Sequence, residues 1–266
     1  MVFMMNAMPV EASESSQNGL AKAFAILGSS PLGKKLLDEA KEKDLSIIEG
    51  KISKTEIVAT RVMESNREKL EFHVQVLISK EKNPVFQAID LAHELVHALH
   101  PKSNPFDPKL NAVDYIREGI EAEGGEAHAI LQECKVGHEL VDLVQQEQAQ
   151  LIKARCQFVW NSEKNEEQWN RSFYHLGRYL SLFRTRLGTV STDQDKNQEI
   201  SRLAQAKDPM FSSAAANKPY PLALLDEYVE ITRKICNHSQ KRKIEVAGNN
   251  PMEERCQSLS SALFSP

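Results

Sequence analysis

The chain has 266 residues, which is enough for one large domain or two smaller ones with a buried core. Its hydrophobic content of 41% and charged content of 26% are typical of a globular protein and exclude a disordered chain. The net charge of -4 argues against general nucleic-acid binding, and no apolar run in the sequence reaches the length of a membrane span.

The N-terminus, MVFMMNAMPVEA, is apolar and ends with small residues at Val10 and Ala12, the two positions that a signal peptidase reads. It lacks a positively charged start, and its apolar core is short for a secretory signal. Two interpretations of residues 1–17 therefore stay open, namely a truncated signal peptide and a frayed, disordered terminus.

Four cysteines are present, and their spacing favours the pairs Cys134 with Cys156 and Cys236 with Cys256. Three connectivities are possible, and four reduced thiols would fit the same pattern. The even number favours a secreted or cell-envelope location over the cytoplasm. No CxxC pair occurs, so a zinc site made of thiolates is not expected.

The first part of the chain changes from a helical to a strand-like period. Apolar residues at helical spacing predict helix over residues 18–43, with a break near the Gly-Ser-Ser-Pro stretch at 28–31. Short strands are predicted at 45–52 and 55–60. The alternation of apolar and polar residues over 70–79 gives the clearest strand of the sequence.

Helices are expected to fill the rest. Asn83 is a suitable N-cap and Pro84 a suitable first residue for a helix that runs to His100 and stops at Pro101. Asp107-Pro108 resembles another helix start. Further helices are predicted around 139–159, 166–187 and 221–237, with a loop-like stretch with one short helix at 188–221.

Strands followed by helices indicate an α+β fold. The predicted organisation is a core over residues 18–138, a helical C-terminal subdomain over 139–237, and a polar, flexible tail over 238–266.

The stretch DLAHELVHALHP, residues 90–101, places titratable side chains in an otherwise apolar helix. Residues four apart share a helix face, so His93 and His97 present two imidazoles from adjacent turns. Their nitrogens can reach one zinc ion, and Glu94 can act on a water beside it as general base. The sequence therefore predicts an HExxH zinc site, against the plainer interpretation of two hydrogen-bonded core histidines.

A catalytic zinc usually has three protein ligands and one open position, so a third ligand is expected from the next helix. That stretch, YIREGIEAEGGEAHA, offers Glu118, Glu121, Glu123 and Glu126. Glu118 is followed by Gly119, whose missing side chain would let the helix approach the HExxH helix closely. The four acids would also suit a solvated helix face.

The segment HELVH at residues 93–97, with REGIEA at 117–122, resembles the gluzincin class of zinc metallopeptidases. The resemblance covers residues 70–133, about a quarter of the chain. It implies a zincin-like core made of a small N-terminal sheet, an active-site helix and a third-ligand helix. It also implies one zinc ion per chain, with Glu118 completing a His-His-Glu site.

The resemblance implies hydrolysis of a peptide or protein substrate, by an endopeptidase rather than an exopeptidase. Glu94 would serve as the general base. In that class an edge strand before the HExxH helix binds substrate in extended form, so residues 70–79 are expected to belong to that sheet. The sequence gives no cleavage specificity and no oligomeric state.

The sequence departs from the gluzincin pattern in the second helix. The position four residues after the third-ligand acid is Ala122, where an acid that orients the first histidine would be expected. Glu121 or Asp90 is expected to take that role. Gly124-Gly125 would weaken or end the helix, so Glu121 and Glu123 stay as alternative metal ligands.

A peptidase of this kind needs a hydrogen-bond donor for the oxyanion of the tetrahedral intermediate. Tyr115, His175 and Tyr179 are the candidates, together with Tyr174, although aromatic side chains at helical spacing more often belong to a core.

Two alternatives to a peptidase stay open. One is a zinc-containing regulatory or partner-binding module that keeps the zincin-like scaffold without proteolysis. The other is a structural helical protein whose HExxH is coincidental and which binds no metal.

Overall fold

The computed structural model describes residues 14–64, 67–102, 110–160, 166–191, 193–204, 207–213, 216–242 and 256. The helices are α1 (Glu14–Gly28), α2 (Pro31–Glu42), α3 (Pro84–Leu99), α4 (Ala112–Glu121), α5 (Glu126–Leu140), α6 (Gln146–Trp160), α7 (Glu166–Phe173), α8 (Leu180–Val190), α9 (Gln194–Leu203) and α10 (Tyr220–Arg242). The strands are β1 (Ser46–Gly50), β2 (Lys54–Glu64), β3 (Arg67–Ser79), β4 (Ser212–Ser213) and β5 (Lys218–Pro219). The fold is α+β, as the sequence predicts.

The chain divides into two compact units that are not consecutive in sequence. The first contains Met1–Leu99 and Gln132–Trp160, and the second contains His100–Leu131 and Asn161–Pro266. The predicted subdomain boundary after residue 138 falls inside the continuous helix α5.

The predicted terminal segments lie mostly outside the described residues. Of the N-terminal segment 1–17, the first thirteen residues lie outside the described residues, and helix α1 begins at Glu14. At the other end α10 continues to Arg242. Within the described residues, no helix is long and apolar enough to cross a membrane.

The first unit is built around a three-stranded sheet with the order β1-β3-β2. Strand β1 pairs with β3 in parallel, and β2 pairs with β3 antiparallel. The strand predicted at 70–79 is confirmed as part of β3. It is the central strand, so the edges of the sheet are formed by β1 and β2.

Helix α3 packs on this sheet, with its predicted ends confirmed to within one residue. The side-chain oxygen of Asn83 accepts a hydrogen bond from the backbone N–H of Phe86 at 3.1 Å, which is N-cap geometry. Apolar side chains from both α3 and the sheet form the core of this unit. Its fully buried members include Val76, Ile78, Ala88, Ile89, Leu91, Ala92 and Leu95.

Replacing Leu91 by alanine is expected to destabilise the first unit by about 2–5 kcal/mol, because its side chain is fully buried and would leave a cavity. Leu151→Ala on α6 is the control, since this side chain is 48% exposed and its loss should change stability by about 0.5 kcal/mol or less. Urea unfolding followed by circular dichroism measures both. Equal stability of the two variants would contradict the described core.

The part of α5 from Gln132 onwards and helix α6 complete the first unit, and they are joined by a disulfide between Cys134 and Cys156. The predicted helix over 139–159 is interrupted, because α5 ends at Leu140 and α6 begins at Gln146. The second disulfide joins Cys236 and Cys256, so both pairs match the pairing that the spacing favours. All four cysteines are therefore paired.

In the second unit, α4 packs against α10. A side chain at Gly119 would place its Cβ 2.7 Å from Leu224, so the missing side chain allows this close approach. The sequence predicts a different partner for Gly119, namely the HExxH helix. The helix predicted from Asp107-Pro108 begins later, at Ala112, where Asn111 is the N-cap; Asp107 and Pro108 lie outside the described residues.

Candidate metal centre

Helix α3 places two imidazoles side by side. The Nε2 atoms of His93 and His97 lie 3.1 Å apart, and the ring planes are 76° apart. The spacing of four residues on a regular helix produces this arrangement without any backbone distortion. The predicted pair of histidines is therefore brought together by α3 alone.

This nitrogen pair fits a tetrahedral zinc ion. Two nitrogen ligands at 2.0–2.1 Å from one tetrahedral ion stand about 3.3 Å apart, which is close to the distance between the two Nε2 atoms. Both side chains are half-buried, so a metal would be reachable from solvent. The same distance would also suit a hydrogen bond between the rings, and metal content distinguishes the two arrangements.

An acid that the sequence analysis did not name holds the other nitrogen of His93. The Oε2 atom of Glu133, on α5, lies 3.0 Å from His93 Nδ1. An ionised carboxylate only accepts hydrogen bonds, so Nδ1 carries the proton and Nε2 keeps its lone pair. Carboxylates commonly orient metal-binding histidines in this way. Glu133 thus occupies the role that the sequence analysis expected of Glu121 or Asp90.

Glu133 is in turn part of a charged group that we call the support triad, Asp90, Arg155 and Glu133, in which the two acids are buried and the Arg155 side chain is 36% exposed. Arg155 Nε donates to Glu133 Oε1 at 2.5 Å, and its terminal nitrogen donates to Asp90 Oδ1 at 3.2 Å. Ser53 and Lys82 each donate to Asp90 Oδ2 at 2.5 Å. Asp90, which the sequence predicts as a candidate to orient His93, is therefore linked to that histidine only through Arg155 and Glu133.

The charges of the triad stabilise one another. Burial alone would raise the pKa of Asp90, but hydrogen bonds from Lys82 and Ser53 and the charge of Arg155 bring that pKa below its ordinary value. Burial would likewise lower the pKa of Arg155, but the carboxylates of Glu133 and Asp90 raise it instead. Both groups are therefore charged at neutral pH.

Asp90→Asn is expected to destabilise the protein by about 3 kcal/mol at pH 7, because it leaves two cations beside a neutral amide. The lowered pKa means that the ionised Asp90 stabilises the fold above the ordinary aspartate pKa of about 3.8, and that this contribution is lost as pH falls through the lower folded pKa. The loss of stability between pH 7 and pH 2 should therefore be smaller in Asp90→Asn.

Thermal unfolding at a series of pH values between 2 and 7 measures this difference, with Asp38→Asn as the control because Asp38 is exposed on α2. Parallel pH profiles of wild type and Asp90→Asn would contradict the assigned ion pairs.

The carboxylate of Glu94 is held beside the sheet. Thr55 Oγ1, on the edge strand β2, lies 2.9 Å from Glu94 Oε2 and 2.9 Å from the Glu94 backbone carbonyl oxygen. The side chain is buried, with 9% exposure. One hydroxyl proton is thus shared between the acid and the helix backbone, which fixes the acid relative to β2.

The remaining predicted acids belong to the second unit. Glu118 and Glu121 lie on α4, and Glu121 accepts a hydrogen bond from the hydroxyl of Tyr174 at 2.5 Å. Glu123 follows α4 and pairs with His100 at 3.3 Å. Burial raises the pKa of Tyr174, and the hydrogen bond to Glu121 raises it further.

The predicted oxyanion donors also lie in the second unit. Tyr115 is buried, and its ring centroid lies 5.7 Å from that of Tyr228. Tyr179 accepts a hydrogen bond from Arg178 at 3.1 Å. His175 follows α7. Their role as oxyanion donors stays a prediction.

Comparison with known proteins identifies no relative of this chain. No protein-family model, no curated protein and no solved structure matches it significantly.

Proposed function

We propose that this protein is a zinc-dependent peptidase in which His93 and His97 bind the ion. The observation that carries the proposal is the pair of Nε2 atoms 3.1 Å apart, with Glu133 on the opposite nitrogen of His93. An imidazole ligand oriented by a carboxylate, as His93 would be by Glu133, is a common arrangement in zinc proteins. A zincin-like core is part of this proposal.

The third ligand is proposed to be an acid. Glu118 has this role by the resemblance to gluzincins. Glu126 is the alternative third ligand. It lies on α5 seven residues before Glu133, which places it two turns away on the same helix face. Replacing each acid by alanine and measuring zinc content separates the two assignments.

The chemistry follows from the neighbours of the two histidines. A zinc ion held by His93 and His97 would supply a Lewis acid and would lower the pKa of a bound water towards 7. The carboxylate of Glu94 accepts a proton from the attacking water and delivers it to the leaving amine as the peptide bond breaks. The hydroxyl of Thr55 donates to Oε2 of that carboxylate and so keeps the acid in place beside β2.

The sheet supplies a place for an extended substrate. Within the described residues, the outer edge of β2 pairs with no other strand, so its backbone N–H and C=O groups can bind a peptide by strand addition. Thr55 links this strand to Glu94. Ile57 lies two residues further on the same face of β2 and is 52% exposed, which favours an apolar substrate side chain there.

The test is cleavage of a library of unstructured peptides, with the new termini identified by mass spectrometry. The zinc-loaded protein should cleave the library, a chelator should stop cleavage, and added zinc should restore it. Apolar residues should be enriched near the cleaved bond. Cleavage that continues in the presence of chelator would contradict the proposal. A protein that binds zinc but cleaves neither the library nor unfolded protein substrates would instead support the non-proteolytic module.

A further inference from the structure

We infer that Arg155 is a positioning residue for the histidine site and that the Cys134–Cys156 disulfide holds it in place. The inference rests on the proposed zinc site and names what makes that site rigid. Arg155 does not contact the histidines itself; it acts through Glu133, whose other oxygen contacts His93.

The disulfide and the ion pair are adjacent along both helices. Glu133 immediately precedes Cys134 on α5, and Arg155 immediately precedes Cys156 on α6. One covalent bond therefore fixes the two residues that bind each other at 2.5 Å. The helices also approach closely nearby, since a Cβ at Gly137 would lie 2.9 Å from Ile152.

A third contact between α5 and α6 lies beside the disulfide. The indole N–H of Trp160, at the end of α6, donates to the backbone carbonyl of Cys134 at 3.0 Å. Both cysteines are buried, at 1% and 0% exposure. The disulfide is thus enclosed in the core directly behind Glu133, where it restrains α5 and α6.

Arg155 also fixes the histidine helix itself. Its guanidinium binds Glu133 on α5 and Asp90 on α3, one turn before His93. The carboxylate that orients His93 is thereby tied to the helix that carries His93. A lysine would supply the charge but not the fork of donors that reaches both acids.

The first experiment measures zinc affinity by competition with a fluorescent chelator, well below the unfolding temperature of every variant. Arg155→Met and Glu133→Gln should each weaken zinc binding by about 10- to 100-fold. The double variant should bind zinc no more weakly than Glu133→Gln alone, because the two residues act in series. Arg155→Lys should recover part of the affinity, and Arg171→Met, an exposed arginine on α7, should change it by less than about twofold.

The second experiment removes one disulfide at a time. The sequence separations of the two disulfides are 22 and 20 residues, so their loss should affect the unfolded chain almost equally. Replacing both Cys134 and Cys156 by alanine should weaken zinc binding by about tenfold or more. Replacing both Cys236 and Cys256 should leave zinc binding unchanged.

A readout without metal separates this inference from the zinc proposal. Nitrogen-15 NMR of the metal-free protein reports which nitrogen of His93 is protonated, and the wild type should show the Nδ1–H form. Arg155→Met should give a mixture of the Nδ1–H and Nε2–H forms of His93.

Two results would overturn the inference. One is additive losses in zinc affinity from Arg155→Met and Glu133→Gln, and the other is an unchanged His93 form in Arg155→Met. A wild type that binds no zinc but shows the Nδ1–H form would overturn the zinc proposal alone.

Discussion

Glu94→Gln is expected to lower kcat for peptide cleavage by about 10²–10⁴-fold while zinc content and KM stay close to the wild type. Glutamine has nearly the same shape, and its carbonyl oxygen can still accept the hydrogen bond from Thr55. An amide cannot take a proton from water at neutral pH, so only the proton transfer is lost. Steady-state kinetics on a peptide that the wild type cleaves, with zinc measured on the same sample, test this.

The matched control is Glu147→Gln, an exposed acid on α6 that undergoes the same change of charge and shape. Its kcat should equal that of the wild type. If Glu94→Gln retains full turnover with zinc bound, Glu94 is not the general base. If it loses zinc together with turnover, the acid supports the metal and its assigned role is wrong.

Gly124→Ala is expected to destabilise the second unit by about 3 kcal/mol or more. The added Cβ would lie 1.8 Å from the backbone carbonyl oxygen of His100, and a backbone atom cannot move aside as a side chain can. This contact fixes the turn between α4 and α5, where α5 begins with Glu126. Differential scanning calorimetry should show a lower unfolding temperature.

Gly188→Ala provides the opposite expectation with the same chemical change. Gly188 lies inside α8 with no atom within 4 Å of an added Cβ, so alanine should stabilise the helix by about 0.5–1 kcal/mol. The two glycine-to-alanine changes should shift the unfolding temperature in opposite directions, so together they test the described packing. Equal unfolding temperatures in the two variants would contradict the tight turn at Gly124.

Local signals predicted the elements around the histidines well. Asn83 and Pro84 fix the start of α3 and Pro101 its end, because capping and the missing N–H of proline act over a few residues. The alternation of apolar and polar residues over 70–79 identified β3, because this signal also depends only on neighbouring residues. The pair Gly124-Gly125 correctly indicated the end of α4, since both glycines are needed for close backbone contact there.

Longer-range features were predicted less well. The expected continuous helix over 166–187 breaks between α7 and α8, where Gly177 adopts a φ of +48° against Asp208. A helical period continues through such a break, so it gives no warning. The stretch over 188–221 contains α9, which matches the one short helix predicted there, and the strand pair β4–β5, which was not predicted.

Glu133 was missed because its contact with His93 joins residues 40 positions apart. A signal was nevertheless present in the sequence. The favoured pairing of Cys134 with Cys156 implies that the residues preceding them are neighbours, and these are an acid and an arginine. Opposite charges that directly precede two paired cysteines indicate an ion pair between the helices.

The most direct measurement is the zinc content of purified, metal-loaded wild type by elemental analysis, beside His97→Ala, Glu118→Ala and Glu126→Ala. The proposal predicts about one zinc per chain in the wild type, and its loss in His97→Ala and in one of the two glutamate variants. A wild type without zinc, or zinc that persists in His97→Ala, would show that α3 carries two hydrogen-bonded histidines and no metal centre.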